Sequence, residues 1–300
     1  FVHTYEGHDV IGLVDPDGRR WPDKLAEGAD FYMQPVWHPS GEAFAWVEWD
    51  HPNMPWDGTR LMYAALEGDP PKIQAAQNLA GTEDVPILQP AFSPDGHYLS
   101  YVQNQGEWDQ LILQDLETGE STVLVEGEAL LRPAWIQGVV VQAWAPEGDR
   151  ITFLKSQAGL TTLNQVNVES GEVSELDMSP YTSLSQPSIN QEGKLALLAS
   201  APTISTRVVS VKDKNITIHQ RSTSEAIPPE DLPTPYEIQW TSSDVETVYG
   251  IYFPPTSSRF KGEGLPPAIV QIHGGPTSSV PNGYALDSAL LTRRGYGYLQ

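Results

Sequence analysis

Gln89-Pro90-Ala91-Phe92-Ser93-Pro94-Asp95-Gly96, with the run 98–102 behind it, reads as a turn that opens a strand. Pro94 presets a turn, Gly96 supplies the positive φ that closes it, and the Tyr, Leu and Val that follow suit a half-buried strand. The pattern returns in Gln34-Pro35-Val36-Trp37-His38-Pro39-Ser40-Gly41, in Gln142-Ala143-Trp144-Ala145-Pro146-Glu147-Gly148 and in Gln186-Pro187-Ser188-Ile189-Asn190-Gln191-Glu192-Gly193. Gly41, Gly96, Gly148 and Gly193 stand at successive spacings of 55, 52 and 45 residues, a period that suits one four-stranded sheet per repeat. Each turn leads into a predicted strand, at 43–49, 98–102, 151–154 and 195–199.

A second feature closes each repeat. Asp15-Pro16-Asp17-Gly18, Leu116-Glu117-Thr118-Gly119 and Glu169-Ser170-Gly171 each follow a short apolar strand and precede another, as 111–113 and 122–125 do around the second of them. These are hairpin turns, and radial repetition of such sheets protects their edges without closing a barrel. The fold class expected is mainly β: an incomplete β-propeller of four-stranded antiparallel blades, with four blades and part of another before Glu27. Because the chain begins inside the pattern, further blades are expected ahead of Phe1.

At 300 residues and 39% hydrophobic, the chain can bury a sizeable core and make two domains. Lys and Arg number 17 against 39 Asp and Glu, a formal charge of −22, which repels phosphate backbones and excludes nucleic acid as an expected partner. Solubility explains that charge, and a field favouring cationic or free-amine peptides is the other reading. No apolar run approaches the roughly 20 residues of a membrane span, and the start shows no targeting signal. The first residue is Phe rather than Met, so the natural N-terminus is expected to be missing. The absence of cysteine excludes disulfides, thiolate metal sites and a cysteine nucleophile, and favours a cytoplasmic location. No metal or cofactor is expected.

After residue 200 the repeat stops. The segment 224–235 holds four prolines in twelve residues, an extended linker. Beyond it we predict strands at 236–241 and 247–253, then an apolar strand at 268–273 buried on both faces. His273-Gly274-Gly275-Pro276 follows, then a helix over 284–294 with Leu286, Ala289 and Leu290 on one stripe and Gly295 as its stop, then a strand from 296. Strand, glycine turn, helix and strand open an α/β unit, so the expected domains are 1–232, propeller, and 233–300, the start of an α/β-hydrolase domain. In lipase- and esterase-like hydrolases a His-Gly-Gly after the third strand supplies an oxyanion-hole donor, since glycine lets a backbone N–H approach the substrate carbonyl. Taken alone, a Gly-Gly turn after a strand is more often structural; following a propeller and a proline-rich linker, the catalytic reading gains.

The chain resembles the acylaminoacyl-peptidase or dipeptidyl-aminopeptidase branch of the prolyl oligopeptidase family. Three stretches carry the likeness beyond the repeats: Gly28-Ala29-Asp30-Phe31-Tyr32, Asp50-His51-Pro52-Asn53-Met54-Pro55-Trp56-Asp57-Gly58-Thr59, and 265–278, from Leu265-Pro266-Pro267 to Gly274-Gly275-Pro276-Thr277-Ser278. The resemblance implies a serine peptidase acting on short peptides or acyl-peptides, its propeller a lid and substrate filter. It puts the oxyanion donor on the backbone N–H of Gly275, with His273, Gly274 and Pro276 shaping the loop and His273 not the catalytic base. No Gly-x-Ser-x-Gly occurs in the 300 residues, so nucleophile, base and acid are not assigned here and the chain alone is expected to be inactive. Oligomeric state stays open.

The segment 50–59 is too long for a tight hairpin. Its His51, Met54 and Trp56 either pack on a neighbouring blade or meet the hydrolase domain or substrate channel. His51, Asp50 and Asp57 lack metal-ligand spacing. A reading of another class, a non-catalytic TolB-like binding propeller, explains 37–193 equally well but leaves 266–300 without a partner sheet.

Overall fold

The computed structural model describes residues 1–5, 7–130, 136–274 and 279–300. It is nearly all β. A three-stranded sheet comes first, β1 (Val2–Tyr5), β2 (His8–Leu13) and β3 (Asp23–Ala26). Four four-stranded sheets follow, each with its strands in chain order: β4 (Phe31–Trp37), β5 (Ala43–Trp49), β6 (Arg60–Glu67), β7 (Lys72–Ala80); β8 (Ile87–Phe92), β9 (Tyr98–Asn104), β10 (Asp109–Asp115), β11 (Ser121–Glu128); β12 (Gln142–Trp144), β13 (Arg150–Gln157), β14 (Leu160–Asn167), β15 (Val173–Leu176); and β16 (Ser183–Ile189), β17 (Leu195–Ala201), β18 (Ile204–Lys212), β19 (Asn215–Arg221). These are propeller blades. The turn glycines Gly41, Gly96, Gly148 and Gly193 all have φ between 71° and 79°, the conformation the repeat required.

The chain divides into two compact units, Phe1–Lys155 with Asn164–Ser174 and Ile189–Gly193, and Ser156–Leu163 with Glu175–Ser188 and Lys194–Gln300. In the first, apolar faces of successive blades meet. Ile11 and Leu25 pack with Tyr32, Phe44 and Trp46; Val47 and Leu61 pack with Ile87, Leu99 and Ile112; Leu111 and Val125 pack with Trp144, Ile151 and Phe153. Alternation along each strand sends one side chain set into such a layer, which is why β5 (AFAWVEW), with apolar residues on both faces, is buried almost throughout.

Glutamines stitch the blades of this unit at polar points between the layers. Gln34 Oε1 accepts the Gln89 N–H at 2.6 Å; Gln89 in turn donates from Nε2 to the Val139 carbonyl at 2.7 Å and accepts the Val141 N–H at 3.1 Å. Gln34, Gln89 and Gln186 have φ of 51°, 62° and 58°, a kink at the same step of three repeats. Gln142, grouped with them in the sequence, is one residue nearer its turn glycine and lacks the kink. It reaches back instead, donating to the Gln89 carbonyl at 2.5 Å and accepting the Ser100 hydroxyl at 2.9 Å.

In the second unit, the proline-rich segment leads through a single 3-10 turn (Pro229–Asp231) into β20 (Tyr236–Thr241) and β21 (Thr247–Phe253), at the residues expected. They join β22 (Ala268–Val270) and β23 (Gly297–Leu299) in a sheet ordered β20-β21-β23-β22, with β22 and β23 parallel and the helix α1 (Leu286–Thr292) in the connection between them. Two expectations fail here. The strand from Ala268 ends at Val270 and is exposed, Val270 by 59% and Ile272 by 85%, because β22 is the sheet's edge with β23 on one side only. In α1 the buried residues are Ser288, Ala289 and Thr292, whereas Leu286 and Leu290 are exposed. Small polar side chains can face inward because the helix satisfies them itself: Ser288 Oγ donates to the Ala285 carbonyl and Thr292 Oγ1 to that of Ser288, both at 2.7 Å. Among the described residues no helix is long and apolar enough to cross a membrane.

Candidate functional site

The His-Gly-Gly-Pro segment begins where β22 runs out. Gln271 extends the strand by one step, its N–H donating to the Leu299 carbonyl at 2.8 Å and its side-chain carbonyl accepting the Tyr298 hydroxyl. Tyr298 is 1% exposed, and burial pushes its hydroxyl pKa up, so it stays a neutral donor. The Tyr252 ring lies directly over Gly297, where a Cβ would stand 2.4 Å from the Tyr252 hydroxyl. The strand end that delivers His273 and Gly274 is therefore fixed, and both residues are exposed. Gly275 and Pro276 lie outside the described residues.

The chain is next described at Ser279, and there it is held again. Val280 packs against Ile251, Phe253 and Tyr298 of the sheet. Two residues on, Asn282 is gripped through its backbone: its N–H donates to the Gly159 carbonyl at 2.7 Å, and its carbonyl accepts the Thr182 hydroxyl at 2.5 Å. Gly159 stands with Ala158 in the two-residue turn between β13 and β14, at φ 74° and 51°, the doubly left-handed hairpin whose twist matches the strands. Thr182 is fixed through its own backbone, accepting from the Thr161 N–H and donating to the Ser200 carbonyl, each at 2.9 Å. A cleft of about 470 Å³ opens beside these groups, with Gly159, Glu237, Tyr249, Ile251, His273 and Val280 on its walls.

The linker is anchored by a carboxylate. Asp231, 3% exposed, accepts the Ser258 N–H at 2.6 Å and Arg293 Nη2 at 3.1 Å. The Ser258 hydrogen bonds, then the Arg293 charge, hold its carboxyl below the usual range, so it is ionised at neutral pH.

His51, Met54 and Trp56 belong to the first unit. Their loop is bound to its own blade: the Asp30 N–H donates to the Asp50 carboxylate and the His51 N–H to the Asp30 carboxylate, both at 2.9 Å, and Asn53 Nδ2 donates to the Glu83 carbonyl at 2.7 Å. Burial alone would raise the Asp50 carboxyl, but Arg60 at 2.7 Å and the Asp30 N–H outweigh it and hold it low. His51 and Met54 are exposed, while Trp56 is half-buried. Among the described residues no cluster of His, Asp or Glu could hold a metal ion. The grip on Asn282 was not read from the sequence, and Ala158-Gly159 is not one of the dipeptides that announce a two-residue hairpin.

A sequence profile for the lipoprotein LpqB beta-propeller domain matches residues 69–185. No curated protein matches the chain. Among solved structures, a puromycin-hydrolysing peptidase from Mycobacterium tuberculosis is similar with a TM-score of 0.87 at 27% identity, over 97% of this chain and 46% of that one. A puromycin hydrolase gives 0.88 at 28%, over 97% and 45%. TolB from Acinetobacter baumannii shares the fold, with a TM-score of 0.55 at 14% identity over 81% of this chain and 56% of that one. The chain thus spans a little under half the length of the two peptidases it resembles.

Proposed function

We propose that the chain forms the propeller, 1–232, and the opening part, 233–300, of an α/β-hydrolase domain in a serine peptidase of the prolyl oligopeptidase kind, acting on short peptides or acyl-peptides. The observation that carries this reading is the position of His273-Gly274 between β22, the third strand in chain order of the β20–β23 sheet, and the helix α1, in a parallel crossover. That is the loop from which α/β-hydrolases draw an oxyanion N–H. Similarity over 97% of the chain to two puromycin-hydrolysing enzymes supports the same reaction class.

In this reading a serine Oγ attacks the substrate carbonyl while a histidine takes its proton, and the carbonyl oxygen gains the charge. The Gly275 N–H donates to that oxyanion; His273, Gly274 and Pro276 shape the loop that presents it. The propeller acts as lid and filter. A substrate with a free amine would also suit the −22 charge.

A fluorophosphonate probe tests this reading on the 300-residue chain and on the natural full-length protein, with puromycin as a trial substrate. The full-length protein should label on one serine and the 300-residue chain should not. Labelling of the shorter chain would refute the assignment of the nucleophile elsewhere. Failure of the full-length protein to label would favour the TolB-like binding propeller, which the LpqB-domain match and the TolB likeness support.

A further inference from the structure

In the first unit, the turn between β2 and β3 meets the turn between β6 and β7, and a cavity of about 260 Å³ opens beside them. Arg20 ties the two turns: its Nη1 donates to Asp69 Oδ1 at 2.8 Å, and its Nε lies 3.8 Å from the Asp15 carboxylate, a side chain only 6% exposed. The first turn is closed by the Gly18 N–H on the Asp15 carbonyl and the Asp17 N–H on the Asp15 carboxylate, both at 3.0 Å. On the cavity stand Trp21, 91% exposed, Val14, 49% exposed, and Trp37, 46% exposed, with Pro16, Pro70 and Pro71 as stiff walls. Trp37 is braced edge-on against Phe44, ring centroids 5.3 Å apart. Among the described residues neither indole N–H has an acceptor. One exposed apolar side chain is ordinary, but two indoles and a valine around one cavity make a patch, and tryptophan is enriched where partners bind.

We propose that this groove docks an extended, proline-rich segment of another protein that carries a basic residue beside its prolines. Size, shape and charge choose the occupant. The cavity is smaller than the roughly 300–1,000 Å³ of a pocket for a whole small molecule, and it takes one or two side chains rather than the face of a folded domain. A polyproline II chain brings its rings already ordered, so little entropy is lost as they stack on the indoles. Its carbonyls make no internal hydrogen bonds and are free to accept from the indole N–H groups. Asp15 and Asp23 line the groove with Arg20, whose charge Asp69 shares, and the neighbouring Arg19 is paired with Asp17. Carboxylates therefore outnumber guanidinium at the groove, and the −22 of the chain adds to the field that draws a basic residue in. The site stands on the propeller alone and does not depend on the peptidase reading.

The experiment is fluorescence anisotropy of a labelled peptide of repeated Arg-Pro-Pro units, titrated with the full-length protein after fluorophosphonate treatment so that the peptide stays whole. Peptides of Glu-Pro-Pro and Arg-Gly-Ser units are the controls. The first peptide should bind with a Kd below about 1 mM at about 0.15 M salt, and the controls at least about tenfold more weakly. Trp21→Ala should weaken binding about tenfold, and Asp23→Asn about threefold with a shallower dependence on salt. Both side chains are exposed, so both variants should keep the wild-type Tm. Trp108→Ala removes another tryptophan, 53% exposed between β9 and β10, and should bind as the wild type does. Cellotriose, a neutral sugar, should leave the tryptophan fluorescence unchanged. A Kd above about 1 mM, binding that survives Trp21→Ala, an equal loss in Trp108→Ala, or equal binding of either control peptide would overturn the proposal. Saturable quenching by cellotriose that Trp21→Ala abolishes would overturn it too and give the groove to a sugar.

Discussion

Single residues carry two kinds of constraint in this chain, chemical and steric, and glycine shows both. On the proposed peptidase reading, Gly275→Ala in the full-length protein should lower kcat roughly tenfold to a thousandfold with a smaller effect on KM, because a Cβ would push the proposed donor off the developing oxyanion. Steady-state kinetics on puromycin checks this, and an unchanged kcat in a folded variant would remove Gly275 from the site. Gly81 is the steric case. It holds φ 88°, and a Cβ on it would lie 2.0 Å from the Thr59 carbonyl, a backbone atom that cannot rotate away. Thr59 cannot yield as a whole either, being 1% exposed with its hydroxyl bonded to both the N–H (2.6 Å) and the carbonyl (2.8 Å) of Ile87. Gly81→Ala should therefore cost about 2–4 kcal/mol in urea unfolding. A loss under about 0.5 kcal/mol would mean that the 50–59 loop end is softer than its hydrogen bonds imply.

At the level of elements, blade joints and sheet edges behave in opposite ways. Gln89→Leu should destabilise by about 1–3 kcal/mol, since it strips the Val139 carbonyl and the buried Val141 N–H of their partner at once; the urea midpoint, at constant m, reads it. Ile272→Lys should leave stability within about 0.5 kcal/mol while reducing concentration-dependent association in sedimentation, because Ile272 is 85% exposed just beyond the edge strand β22. Association unaffected by the change would place the contact on another surface. These elements also mark how far the sequence could be read. Strands β5, β20 and β21 were predicted to the residue, because aromatic and β-branched runs between turn signals leave little choice. The inward face of α1 was misread, because Ser288 and Thr292 look polar until their hydroxyls are seen bonded to the helix's own carbonyls. The shift of Gln142 by one residue was hidden in the same way: a glutamine near a turn glycine looks alike whether it reaches forward or back. Of the site, the strand-to-helix position of His273 was legible, whereas the Asn282 clamp joins residues that no local pattern connects.

For the molecule as a whole, charge is the term no single contact represents. With −22 in 300 residues, most carboxylates repel one another across the surface, and counter-ions should relieve that strain. Raising ionic strength from about 0.01 M to about 0.15 M, where the screening length falls from roughly 30 Å to 8 Å, should raise Tm. A fall in Tm would mean that pairs such as Arg60 with Glu48 and Asp50 outweigh the repulsion. The glutamine stitching has a consequence of another order. Gln34 and Gln89 each extend a side chain to backbone further along the chain, while Gln142 reaches back to the Gln89 carbonyl, so each joint is closed by backbone from one repeat and an amide from its neighbour. A gene that duplicates or drops one whole repeat in frame keeps such amides beside a neighbouring repeat, while a break inside a repeat leaves an amide facing nothing. The lineage of this chain should therefore change length in steps of a blade, with smaller insertions confined to the loops outside the joints.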